Sequence, residues 1–181
     1  MTEKATFGGG CFWCTEAIFK RLKGVLFVDS GYTGGDVENP TDDQVYAGKT
    51  GHAESIQIEF EPSVITYKTL LDVFWKTHDP TTLNRQGADV GTEYRSVIFY
   101  HTPQQKLEAE ESKKELEEKG EFKNKIVTQI LPFEKFYKAE EYHQNYYERN
   151  TAAPYCYIVI DPKIQKLLEK FSDKVKDEYK K

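Results

Sequence analysis

From Glu54 to Phe60 the chain alternates cleanly, with Glu54, Ile56, Ile58 and Phe60 on one face and Ser55, Gln57 and Glu59 on the other. A strict period of two marks a strand with one face buried. Such a strand needs a second layer to cover it, and amphipathic runs elsewhere in the chain supply one. Thr66 to His78 places Leu70, Val73, Phe74 and Thr77 near one side of a helix that Asp79-Pro80 ends. Thr102-Pro103-Gln104-Gln105 has the capping-box order with proline at the first helical position, opening a densely charged helix that stops at Gly120. After Asp161-Pro162, the residues Ile164, Leu167, Leu168, Phe171 and Val175 recur at helical spacing, which predicts a last helix over about 162–177. Further strands are expected at 5–7, 25–28, 96–100, 126–131 and 157–160, and further helices at 12–22 and 138–149. A loop with no regular structure is expected at 80–93. Strands and helices interleave from end to end. The order predicts one two-layer domain over 1–181, of α+β (or α/β) class, with helices on a mixed β-sheet and an irregular cysteine-bearing segment near the C-terminus.

A chain of 181 residues removes roughly 70% of its unfolded surface from water, enough for one core without metal or disulfide staples. A formal net charge of −5 gives no general attraction to nucleic acid or anionic lipid, and no apolar run is long enough for a membrane span. The start, Met1 to Phe7, lacks the apolar stretch of a secretory signal, so a cytoplasmic, reducing setting is expected. There, three cysteines (Cys11, Cys14 and Cys156) point to catalysis, redox exchange or metal rather than to a disulfide scaffold.

Gly8-Gly9-Gly10-Cys11-Phe12-Trp13-Cys14 places Cys11 at a strand-to-helix junction. The unpaired N–H groups of a helix start favour a thiolate, so position alone makes Cys11 a candidate nucleophile with a lowered pKa. The competing reading is a small buried hydrophobe. Phe12 and Trp13 read on their own as core. Glu54 lies on the apolar face of its strand, where lost hydration raises a carboxyl pKa and keeps a proton available at neutral pH. The polar, glycine-bearing stretch from Gln86 to Arg95 has the length of a functional loop. His52, His78, His101 and His143 do not combine with the cysteines into structural-zinc spacing, so no metal and no cofactor is expected. The CxxC of Cys11 and Cys14 leaves a thioredoxin-like oxidoreductase as the main alternative.

These residues resemble the A-type peptide methionine sulfoxide reductases. The likeness runs through Gly10-Cys11-Phe12-Trp13, Gly31-Tyr32-Thr33-Gly34-Gly35, Thr50-Gly51-His52-Ala53-Glu54, His78 to Gly87, Gly91-Thr92, Tyr94-Arg95-Ser96, Glu141-Tyr142-His143-Gln144 and Pro154-Tyr155-Cys156, spanning about residues 5–160. The resemblance implies reduction of methionine S-sulfoxide, free and in oxidised proteins, with Cys11 as nucleophile and Glu54 as the acid that activates the sulfoxide oxygen. It further implies Tyr94 as a second donor to that oxygen, Asp89 as a supporting loop carboxylate, and Phe12 and Trp13 as a pocket for the substrate methyl group. The Cys11 sulfenic acid would then be resolved to a disulfide, by Cys156 first with Cys14 as a relay. Thioredoxin or a similar dithiol would reduce that disulfide, and neither nucleic acid nor membrane would be a partner.

The sequence departs from the family pattern at one informative place. Asp42 follows Asn39-Pro40-Thr41 where a tyrosine that shares oxygen binding is usual. Either Tyr46 takes over that contact, or Tyr94 and Glu54 suffice.

Overall fold

The computed structural model describes residues 1–180. In chain order the regular elements are β1 (Glu3–Gly9), α1 (Phe12–Phe19), β2 (Val25–Thr33), α2 (Asp42–Tyr46), β3 (Ala53–Phe60), α3 (Tyr67–Thr77), β4 (Arg85–Gln86), β5 (Asp89–Val90) and β6 (Ser96–Tyr100). They continue with α4 (Pro103–Glu118), β7 (Gln129–Pro132), β8 (Phe136–Lys138), α5 (Tyr146–Arg149), a π-helical stretch at Cys156–Ile160, and α6 (Asp161–Phe171). Six strands form one mixed sheet in the order β7-β6-β1-β3-β2-β8, antiparallel throughout except for the parallel β6–β7 pair.

The period-two pattern of β3 decides which face is covered. Ile56, Ile58 and Phe60 join Phe7, Ile98 and residues of α1 and α3 in the main core. Phe7 is fully buried, with ring centroids 5.6 Å from Phe19 of α1 and 5.0 Å from Phe74 of α3. Each such side chain contributes roughly 1.5–3 kcal/mol of hydrophobic stabilisation. On the opposite face a smaller cluster of Ala53, Val97 and Phe99 packs with Leu131 and Phe133. The molecule is thus a single α+β domain with helices on a mixed sheet, and among the described residues no helix is long and apolar enough to cross a membrane.

Local signals were accurate where a cap defined the element. Thr66 Oγ1 accepts from the Thr69 N–H at the start of α3, and Thr102 Oγ1 from the Gln105 N–H at the start of α4. Four expectations are corrected. The helix expected over 138–149 is instead the end of β8, a 3₁₀ turn at 141–143 and the short α5. Tertiary bonds hold it in that form: Gln144 pairs with both backbone groups of Ser30 at 3.0 and 2.9 Å, and buried Glu16 accepts from the Asn145 N–H at 2.6 Å. Residues 156–160 are π-helical rather than extended, so the cysteine-bearing segment runs as helix into α6 instead of lacking structure. The last helix ends at Phe171; Val175 beyond it forms a bridge with Leu22 and is fully buried. The loop at 80–93 carries the small β4–β5 hairpin.

Candidate active site

Gly10, at φ +95°, turns the chain from β1 into α1, and a Cβ there would meet the Gln86 side chain at 2.6 Å. Gln86 is in turn fixed by a two-way clamp on Asp79, accepting from its N–H at 2.9 Å and donating to its carbonyl at 2.8 Å. His78 is neutral, pushed down to about 4 by burial, and bridges the Phe74 carbonyl and the Ser96 hydroxyl at 2.5 and 2.8 Å. These contacts tie the 78–95 loop to the helix start. Cys11 stands at the N-cap of α1, and the Cys14 N–H closes the first turn on the Cys11 carbonyl at 3.1 Å.

Glu54 comes from the start of β3 and is 8% exposed, so its carboxyl has almost no water. Its Oε1 accepts from the Phe12 N–H at 3.2 Å, one of the unpaired donors of the helix start. Burial outweighs that bond and pushes the carboxyl up to about 8, so Glu54 holds its proton at neutral pH. Tyr94, at the end of a 3₁₀ turn, packs against the cysteine cluster, and burial together with the Glu54 charge keeps its phenol protonated far above neutral pH. Two proton-bearing oxygens are therefore near enough to Cys11 to interact with its charge.

The thiols differ from the sequence expectation. The Cys11 pKa lies well above the ordinary value because burial, the hydrogen bond to Cys14 and the Glu54 charge all oppose its thiolate. Cys14 is the lowered one, at about 7, since the Cys11 thiol donates to it and Lys163 and the Tyr155 hydroxyl add to its stabilisation. Cys156 is fully buried in the same cluster as Cys11, Cys14, Ala17 and Ile160.

The aromatic residues separate into two roles. Phe12 is buried in the main core, 5.7 Å from Tyr32 and 5.0 Å from His143 between ring centroids. Trp13 is half-buried, stacked on Tyr146 at 3.6 Å and edge-on to Tyr155 at 5.7 Å, with its Nε1–H donating to His143 Nδ1 at 3.0 Å. Asp89 Oδ2 accepts from the Tyr155 hydroxyl at 2.7 Å, which joins the β5 loop to the segment bearing Cys156. Tyr46 is 73% exposed at the end of α2, and the structure does not gather it with the cysteines. Asp42 is drawn in instead, its Oδ2 3.0 Å from the Tyr142 hydroxyl and 3.2 Å from His143 Nε2. Tyr155, Tyr146 and the Asp42–His143 contact were not singled out from the sequence as site residues, although Tyr155 and His143 lie in motifs that carry the resemblance and Asp42 was marked as a departure from it. Among the described residues no three His, Cys, Asp or Glu side chains gather as a metal-holding group.

A family model described as peptide methionine sulfoxide reductase matches residues 3–176. The chain belongs to that family. It is 56% identical over 172 residues to the peptide methionine sulfoxide reductase MsrA of Sulfolobus acidocaldarius, covering 95% of this chain and 97% of that protein. It is 53% identical over 174 residues to the MsrA of Saccharolobus solfataricus, covering 96% and 97% of the two chains. The fold matches the reduced form of Mxr1 from Saccharomyces cerevisiae with a TM-score of 0.80 and 37% identity over 86% of this chain and 89% of that one. A second structure of the yeast protein, in complex with Trx2, matches with a TM-score of 0.57 and 31% identity over 80% and 84%. This reductase is an oxidoreductase that uses thiol chemistry on methionine sulfoxide.

Proposed function

We propose that this reductase takes the S-epimer of methionine sulfoxide, in peptides and as the free amino acid, with Cys11 as nucleophile and Glu54 as proton donor. The observation that carries the reading is a carboxyl of pKa about 8 hydrogen-bonded to the turn that bears Cys11. A sulfoxide sulfur is electrophilic only when its oxygen is protonated or strongly hydrogen-bonded, and Glu54 is poised to do this at neutral pH. Tyr94, protonated and beside the cysteines, gives the oxygen its second hydrogen bond, so Glu54 and Tyr94 suffice without a phenol at position 42. Cys11 is protonated at rest and loses its proton as it attacks, with Cys14 as the neighbouring acceptor. The sulfur–oxygen bond of the substrate breaks, methionine leaves, and Cys11 keeps the oxygen as a sulfenic acid. Trp13, held by Tyr146 and His143, forms the wall for the substrate methyl group, with Phe12 packed behind it. Asp89 supports the site by holding Tyr155.

Condensation of the sulfenic acid with a second thiol gives a disulfide that a dithiol protein reduces. The complex that the yeast relative forms with Trx2 supports a thioredoxin as that reductant. Three free cysteines poised for such exchange fit a reducing, cytoplasmic setting. The test is turnover of the two separated sulfoxide epimers with dithiothreitol, for wild type and Cys11→Ser. Turnover of the S-epimer alone, abolished by the substitution, is expected. R-epimer turnover, or activity that survives in the variant, rejects the assignment.

A further inference from the structure

Where the end of α3 meets the start of α6, the surface opens into a cavity of about 530 Å³. Its floor comes from Thr77, His78 and the Gln86 that clamps Asp79, all buried. Three lysines surround that floor. Lys163 and Lys166 lie at i, i+3 on α6 and share one face of that helix, and Lys123 enters from the segment between α4 and β7. The chain as a whole carries a formal charge of −5, yet here three lysines meet a single carboxylate. That carboxylate is Asp79, whose Oδ1 already accepts from the Thr81 N–H at 2.9 Å and the Thr81 hydroxyl at 2.5 Å. Among the described residues none of the three lysines is held in an ion pair. Like charges gathered without a partner repel one another, and an anion that joins them turns that repulsion into attraction. The cavity also has an apolar wall, made by Pro162 of α6 and by Phe122, which packs against the main core.

We propose that this cavity binds a small organic phosphate, with the phosphate oxygens on Lys123, Lys163 and Lys166 and the apolar body of the ester against Phe122 and Pro162. The site is separate from the sulfoxide chemistry proposed above and goes beyond it. A phosphate monoester carries a charge of about −1.5 to −2 at neutral pH, which matches the surplus of positive charge left when Asp79 is set against three lysines. Lysine binds phosphate as a point charge with three rotatable donors, so three ammonium groups can share one phosphate without a fixed fork. The volume fits as well, since small-ligand sites run from about 300 to 1,000 Å³. A bare phosphate leaves most of that volume and the apolar wall unused. A monocarboxylate leaves part of the charge unmatched. The charge of Lys163 acts both on His78 in the floor and on the Cys14 thiol, so an anion bound there is felt at the cysteine cluster.

Calorimetric titration of the full, reduced chain at low salt tests the site, with cyclohexyl phosphate and inorganic phosphate as the two probes. One cyclohexyl phosphate per chain is expected, bound about tenfold or more tightly than inorganic phosphate because burial of the ring adds to the attraction of the charges. Lys163→Ala and Lys166→Ala each remove one charge-assisted contact and are each expected to weaken the ester about tenfold. Phe122→Ala is expected to weaken the ester and to leave inorganic phosphate within about twofold. Lys174→Ala removes an equal charge at an exposed position outside the cavity and is expected to leave both probes within about twofold. No binding of the ester overturns the proposal. So does equal binding of the two probes, and so do equal losses from Lys174→Ala and Lys163→Ala, which are the mark of general attraction rather than of a site. Turnover of the S-sulfoxide by the same preparation reads the proposed activity separately, so failure of either leaves the other standing.

Discussion

Glu54→Gln separates the acid role of this residue from its structural one. Glutamine keeps the volume and can still accept from the Phe12 N–H through its amide oxygen, but it has no proton to give. Loss of a positioned general acid costs roughly 10²- to 10⁴-fold in the chemical step. The same substitution has a stability signature. The carboxyl moves from 4.5 in the unfolded chain to about 8 in the fold, because burial opposes its charge. A group whose folded pKa is raised in this sense favours the protonated fold. Its contribution is fully present below pH 4.5 and is lost as pH rises toward 8. Between pH 5 and pH 9 that single ionisation removes on the order of 4 kcal/mol from wild type and nothing from the variant. The thiols titrate in both proteins, and the Glu54 charge that opposes the Cys11 thiolate is absent from the variant, which adds to its gain at high pH. Urea unfolding at pH 5, 7 and 9 under reducing conditions is therefore expected to show Glu54→Gln gaining on wild type as pH rises, while rapid-quench methionine release at pH 7 shows the rate loss. A stability difference flat in pH, or a variant within twofold of the wild-type rate, refutes the reasoning.

Tyr94→Phe removes one hydrogen bond to the oxygen while Glu54 remains, and a loss of about tenfold in single-turnover rate is expected from roughly 1.4 kcal/mol; rapid-quench kinetics checks it. Gly10→Ala forces a side chain onto a φ of +95° and into Gln86 at 2.6 Å. A destabilisation of about 2–4 kcal/mol by urea titration is expected, with slower turnover because the Gln86 clamp holds the loop that carries Asp89 and Tyr94. Tyr46→Phe alters an exposed hydroxyl, and a single-turnover rate within twofold of wild type is expected; a tenfold loss would return Tyr46 to the oxygen site.

The elements that the sequence placed well are those whose cause is local. β3 follows from its period, α3 from its amphipathic spacing and the Asp79-Pro80 stop, α4 from its threonine cap, and the position of Cys11 from three glycines before a helical run. What was missed is set by contacts across the chain. Residues 138–149 have a helical pattern, yet a bond to each backbone group of Ser30 and one to Glu16 hold them open. The Cys11 thiol departs from its expected lowered pKa for a similar reason. Helix position argues for a lowered Cys11 pKa, but the pKa of each thiol is decided by burial and by its neighbour, which proximity in sequence does not reveal.

Asp42 stands where the family resemblance implies a tyrosine, and its contacts say what it does instead. A carboxylate cannot donate to a sulfoxide oxygen, so an aspartate there cannot do a phenol's work. Its contacts lead elsewhere: Oδ2 meets the Tyr142 hydroxyl and His143 Nε2, and His143 Nδ1 accepts from Trp13, which requires the His143 proton to sit on Nε2 facing Asp42. The Asp42 carboxylate lies near that proton-bearing nitrogen, and Tyr146 stacked at 3.6 Å holds a face of the indole ring. The indole proposed as the wall for the substrate methyl group is thus held at its nitrogen by His143 and on its face by Tyr146. The Asp42 charge also opposes ionisation of Glu54, which adds to the effect of burial in keeping the remaining acid protonated.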